Sequence, residues 1–146
     1  MPVVVYATEF PSSHGWALTA RSRDAELWRR IVADRLRKWG APRTSVELAC
    51  FGVSELLANV VKHAGDPRCR LEVARVGSAA VVSVFDRSLR LPEISRPDWD
   101  AESGRGLWLL QDMTAGAGLG FERAAQPWGK RVWFTCDLSA VKEVAS

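Results

Sequence analysis

Glu55-Leu56-Leu57-Ala58-Asn59-Val60-Val61-Lys62-His63 is the stretch on which the reading of this chain turns. An α-helix advances about 100° per residue, so Glu55, Asn59 and Lys62 share one helix face and His63 lies at its edge. Val53, Leu56, Leu57, Val60 and Val61 take the opposite face and are expected to bury against a sheet. One helix therefore presents a carboxylate, an amide and a cation in a row along its wet side. Asn within a helix weakens it by up to ~0.7 kcal/mol relative to Ala. Either it is kept for chemistry or all three are ordinary solvated side chains, and the flanking sequence has to decide.

Upstream, Thr44 and Glu47 have the spacing of a capping box and are expected to start this helix. Gly65 ends it, and Asp66-Pro67 turns the chain. An earlier helix is expected to begin at Ser22 as N-cap, with Asp24 and Glu26 near its positive end. It continues through Trp28, Ile31, Val32, Leu36 and Trp39 at helical spacing and stops at Gly40 and Pro42. Residues 16–20 alternate as a first strand. Downstream, residues 70–76 read as a half-buried strand, Gly77-Ser78 as a hairpin turn, and residues 79–85 as a central, nearly all-apolar strand. A loop with Pro92, Pro97 and Trp99 leads to Gly104-Arg105-Gly106. A short buried helix over 107–113 follows, then strands over 117–123 and 131–138 joined at Pro127-Trp128-Gly129. Grouped strands and helices predict an α+β two-layer sandwich, with an antiparallel or mixed sheet and helices on one face.

At 146 residues the chain is long enough for one domain with a real core, expected over 15–140 between an arm (1–14) and a tail (141–146). Its 47% apolar and 25% charged residues are ordinary for a globular protein. A net charge of +3, with Arg scattered rather than clustered, gives no reason to expect a nucleic-acid partner. Three separated cysteines without a Cys-x-x-Cys suggest neither zinc nor a disulfide framework and fit a reducing cytoplasm. The start lacks the pattern of a signal peptide. No run resembles a span of ~20 apolar residues, so no membrane role is expected. Trp28 and Trp39 are expected in the core; Trp99 and Trp128, in loops, either cover the core edge or meet a partner.

Gly104-x-Gly106 opening a helix suits an anion, because glycines admit close backbone approach and free N–H groups at a helix start attract phosphate. It is neither a Walker loop nor a dinucleotide fingerprint. Asp86, ending an apolar strand, either accepts a hydrogen bond from an exocyclic amine such as that of adenine or simply forms a turn. His63 either contacts phosphate or answers the helix dipole at a C-terminus.

In this fixed order the motifs make a strong resemblance. Glu55-Leu-Leu-Ala-Asn59-Val-Val-Lys62-His63-Ala64 resembles the N box of the gyrase, heat-shock chaperone, histidine-kinase and mismatch-repair ATPase superfamily. Asp86-Arg87-Ser88 with Pro92 resembles its first G box, and Gly104-Arg105-Gly106-Leu107-Trp108-Leu109-Leu110 its second. Gly129-Lys130-Arg131-Val132-Trp133-Phe134 looks like its closing strand. The similarity runs over roughly 16–138, and the branch it resembles is that of the small anti-sigma factor serine kinases. The resemblance implies the helix-over-sheet Bergerat sandwich with ATP and magnesium as cofactors. Asn59 would hold Mg through its amide oxygen, a suitable donor for a hard cation. Lys62 and His63 would approach the phosphates, Asp86 with Ser88 would take the adenine, and Gly104, Arg105, Gly106 and Leu107 would wrap the phosphates.

By the same resemblance, Glu55 would be the general base taking a proton from a serine or threonine of an anti-sigma factor antagonist. A sigma factor would be the other partner, and a homodimer is implied as well. Three departures stand out: Ser88 where many members have Gly, a short lid between Pro92 and Gly104, and Arg131 where Thr is expected after Gly-Lys. Arg131 either serves as a replacement phosphate-binding cation or points away. The alternative to a kinase is therefore an ATP-binding switch that holds a partner without phosphotransfer. Mild charge and the three boxes oppose a DNA-binding or purely structural domain.

Overall fold

The computed structural model describes residues 12–92, 105–114 and 118–139. The chain runs β1 (Ser13–Thr19), a 3-10 turn (Ser22–Asp24), α1 (Ala25–Lys38), α2 (Arg43–His63), β2 (Arg68–Val76), β3 (Ala79–Asp86), α3 (Arg105–Met113), β4 (Leu119–Arg123) and β5 (Lys130–Asp137). The strands form one sheet in the order β1-β2-β3-β5-β4, and every described pairing is antiparallel. Helices cover one face, so the architecture is the expected α+β two-layer sandwich.

Strand alternation builds the core. Cys69, Leu71 and Val73 of β2, Ala80, Val82 and Val84 of β3, and Val132, Phe134 and Cys136 of β5 all point to the helix side and are buried. Onto them α2 lays Val46, Ala49, Val53, Leu56, Leu57 and Val60, while Val32 and Leu36 of α1 complete the cluster. Gly52 lets α2 lie close on the sheet: a Cβ there would overlap the Phe134 ring. At the β1 edge the core is aromatic. Trp16 stacks with His14 at 5.9 Å and meets Trp28 at 6.1 Å, while Trp39 meets His14 at 5.9 Å.

By length and composition alone α2 could cross a membrane, contrary to the sequence expectation that no run qualifies. Its apolarity is accounted for by packing: it meets α1, α3, β3 and β5. One expected core residue differs. Val61 is 44% exposed, because residues 61–63 form a final turn whose side chains are all exposed.

Both expected helix caps are corrected. Pro42, not Thr44, precedes α2, with no side-chain cap. Its carbonyl accepts the Ser45 and Val46 N–H groups, and Pro has no N–H of its own to satisfy. Glu47 instead pairs with Arg43 one turn back, at 3.0 Å. Ser22 lies in the 3-10 turn, and Asp24 precedes α1 without a side-chain cap bond. Glycines at positive φ close both helices (Gly40, 82°; Gly65, 73°), and Gly77 at 60° makes the β2–β3 turn.

The Gly52–Phe134 seat is testable. Gly52→Ala should destabilise the fold by about 1–3 kcal/mol through overpacking. Adding Phe134→Leu should recover part of that loss in chemical denaturation, whereas strictly additive effects would show that the two do not touch.

Candidate functional site

Two groups of side chains gather on the helix side of the sheet. The first is on α2. Glu55 and Asn59 are half-buried one turn apart, and Lys62 and His63 follow, exposed, toward the C-terminus. Burial raises the Glu55 carboxyl from its ordinary value, and the nearby Lys62 ammonium partly offsets this.

Against this row lies the start of α3. Gly106 is packed so closely on Glu55 that a Cβ would overlap its carboxylate. Leu107 and Leu110, both buried, anchor α3 and hold that approach. The structure thus joins the polar face of α2 to the glycine that opens α3, two stretches some fifty residues apart in sequence. Gly104 and the Arg105 side chain lie outside the described residues.

The second group sits where β3 ends. Asp86 is 2% exposed. One oxygen accepts the Ser88 N–H at 2.8 Å, closing a turn, and the other faces Lys130 Nζ at 3.4 Å. Burial raises the Asp86 carboxyl, while the Ser88 N–H and Lys130 pull it down. Beside it on β2, the Cys69 thiol is pushed up to about 12 by burial and by the Asp86 carboxylate, so it stays protonated. Ser88 Oγ accepts the Arg90 N–H at 3.1 Å, and Lys130 Nζ also donates to the Arg90 carbonyl at 3.1 Å. Gly129 donates its N–H to the Asp86 carbonyl at 2.7 Å. A Cβ on Gly129 would collide with the Ser88 carbonyl, so only glycine fits. Trp128 does not stand free: the Arg87 guanidinium lies 5.6 Å over its ring. The turn-forming reading of Asp86 is thus borne out, and its second carboxylate oxygen is turned to Lys130.

Arg131 is not brought to this site. It alternates with Lys130 and Val132, so it projects from the opposite face of the sheet. There it donates to Ser83 Oγ at 3.1 Å, pairs with Glu122 at 3.3 Å and lies 4.4 Å over the Trp133 ring. The β5 residue facing Asp86 is Lys130, its register partner. Sequence reading passed over Lys130, although the signal was present: with Val132, Phe134 and Cys136 inward, a period of two places Lys130 inward as well.

Among the described residues no cluster of three His, Cys, Asp or Glu could hold a metal. A magnesium ion needs no such cage. It keeps several waters and takes one or two protein oxygens together with substrate phosphates, and the half-buried Asn59 amide fits that demand. Gly106 owes its missing side chain to Glu55, whose carboxylate fills the space a Cβ would take.

A family model for the histidine kinase-like ATPase domain matches residues 18–135, most of the chain. No curated protein matches it.

The Glu55–Gly106 approach makes a prediction independent of any activity. Gly106→Ala should destabilise by about 1–3 kcal/mol, and Glu55→Ala in the same chain should remove most of that penalty. A thermal-denaturation cycle with no coupling between the two changes would separate α3 from Glu55.

Proposed function

The chain belongs to the histidine kinase-like ATPase domain family, and from that premise we propose that it binds ATP with magnesium and phosphorylates a serine or threonine of an anti-sigma factor antagonist, while also binding a sigma factor. The observation that carries the catalytic half is the placing of Glu55. It lies one turn before Asn59 and directly under Gly106.

A carboxylate beside bound phosphates does nothing for ATP affinity; its use is toward an incoming hydroxyl. In the transfer, the substrate hydroxyl oxygen forms a bond to the terminal phosphorus as the bridging P–O bond to ADP breaks. The hydroxyl proton passes to Glu55. Burial makes Glu55 a stronger base than an exposed Glu. Magnesium, when bound, supplies charge neutralisation on the phosphates, with Asn59 as its protein donor. Lys62 adds positive charge beside them, as the transfer requires. Asp86 takes the exocyclic amine of adenine, and the Ser88 N–H fixes the orientation of its carboxylate.

One observation favours a second reading, an ATP-dependent switch that holds its partner without phosphotransfer. With α3 as it stands, Gly106 fills one side of the Glu55 carboxylate, so a substrate hydroxyl must reach Glu55 from another side or displace the start of α3.

Transfer from labelled ATP to the antagonist, captured from the native extract, decides between them. Glu55→Gln should keep ATP affinity and partner binding but lose ~10²–10⁴-fold in phosphorylation. Asn59→Ala should lose magnesium-dependent ATP binding itself. A Glu55→Gln protein working at the parent rate would leave Glu55 a structural role only.

The pH profile gives a second check. Glu55 works ionised, so activity falls as pH drops through its raised pKa. Lys62 holds that pKa down, so Lys62→Met should move the acid limb of kcat/KM to higher pH, whatever happens to its height. An unmoved limb would mean that Glu55 is not the group titrating.

A further inference from the structure

Lys130 is a buried cation for which the reading above has no task. Its side chain is 6% exposed and that of Asp86 3%. Burying such a pair rarely stabilises a fold more than two well-packed apolar side chains would, so packing gives no reason for its presence. The strand register sets the two opposite each other on the helix side, at the end of the sheet where Asp86 is held by the Ser88 N–H. Among the described residues neither group is saturated. Of the three N–H donors on Lys130, one faces Asp86 at 3.4 Å and one meets the Arg90 carbonyl at 3.1 Å. The third has no partner among the described residues. The Asp86 carboxylate has about four acceptor positions, of which the Ser88 N–H and Lys130 take two.

We propose that Lys130 is a base-reading residue: Lys130 and Asp86 together present a donor and an acceptor, side by side, to the edge of the nucleobase. This rests on the ATP site proposed above and names what selects the base there. Adenine offers the matching pair on adjacent atoms, an exocyclic N6 amine that donates to Asp86 and a ring N1 that accepts from Lys130. Guanine and hypoxanthine reverse both positions. Their O6 would face the carboxylate and their N1–H the ammonium, two repulsive contacts in the same pose. The pair thus selects by rejection as well as by attraction. Each group is held from behind, Asp86 by the Ser88 N–H and Lys130 by the Arg90 carbonyl, so neither can readily turn to suit the other base.

The test is calorimetric titration of the full chain with magnesium and ATP, 1-deaza-ATP (N1 replaced by C–H) or ITP, in the parent and in Lys130→Met. In the parent, 1-deaza-ATP should bind about tenfold or more weaker than ATP, the size expected for losing a hydrogen bond to a charged group. ITP should bind weaker still. In Lys130→Met the gap between ATP and 1-deaza-ATP should close. Equal binding of ATP and 1-deaza-ATP by the parent would overturn the proposal without needing the variant, and so would a gap that survives in Lys130→Met. Absence of any ATP binding by the parent would remove the nucleotide site itself and this proposal with it, an outcome distinct from equal binding of the two analogues.

Discussion

The antiparallel register of β3 with β5 is the constraint on which the rest depends. Side chains on paired strands share a face only when they are directly opposite or an even number of residues apart. With Asp86 opposite Lys130, the run Ala80, Val82, Val84 falls on the same side as Val132, Phe134, Cys136, and both charged groups ride at the end of that apolar face. A slip of one residue on β5 would put Arg131 and Trp133 under α2 and expel Phe134. The hydrophobic core enforces the register, and the register decides which cation meets Asp86. The core and the site are therefore not separable designs: the same alternation that buries Val132 delivers Lys130.

The second consequence concerns α2. A helix with Val53, Leu56, Leu57 and Val60 on one side can lie on the sheet in only a narrow range of rotations about its axis. Gly52 against Phe134 narrows that range, because the missing side chain lets the helix sit low at that point. With the rotation set, Glu55 and Asn59 are turned to the half-buried flank where α3 arrives. Gly106 then fits over Glu55 for the same reason that Gly52 fits over Phe134: the backbone has to come closer than any Cβ permits. Two glycines on two sides of one helix thus set its depth in the core and its distance from α3.

Much of this was legible in the sequence, and the failures have physical causes. The polar row on α2 follows from the 3.6-residue period, and the strands over β2, β3 and β5 follow from their apolar patterning. The capping box at Thr44 and Glu47 misled, because a spacing rule does not register that Pro42 can supply a helix-initiating carbonyl at no cost in unsatisfied donors. Val61 misled because the last turn of α2, residues 61–63, is exposed while Val60 beside it is still buried. The contact between Glu55 and Gly106 was beyond local reading, since nothing in either stretch announces the other. Arg131 is the instructive case. Resemblance to a closing strand drew attention to that position, while the alternation of the strand's own apolar residues already placed it on the far face and Lys130 on the near one.

Placing Arg131 on the far side also changes how the chain's departures weigh. An arginine where a hydroxyl is expected can replace the lost phosphate contact only if it faces the phosphates. Held instead by Ser83, Glu122 and the Trp133 ring, it caps an otherwise apolar outer strand face of Val81, Phe85 and Trp133. Its methylene stem and flat guanidinium suit that task better than Thr would. Turned away, position 131 offers the phosphates neither the expected hydroxyl nor a replacement cation, which weighs toward the switch reading. The cation that does face Asp86 is Lys130, and the role proposed for it concerns the choice of base and not the transfer of phosphate. On the proposed reading, base recognition at the end of β3 and proton transfer at Glu55 would fall to two different groups of residues. A change in one can be read without assuming damage to the other.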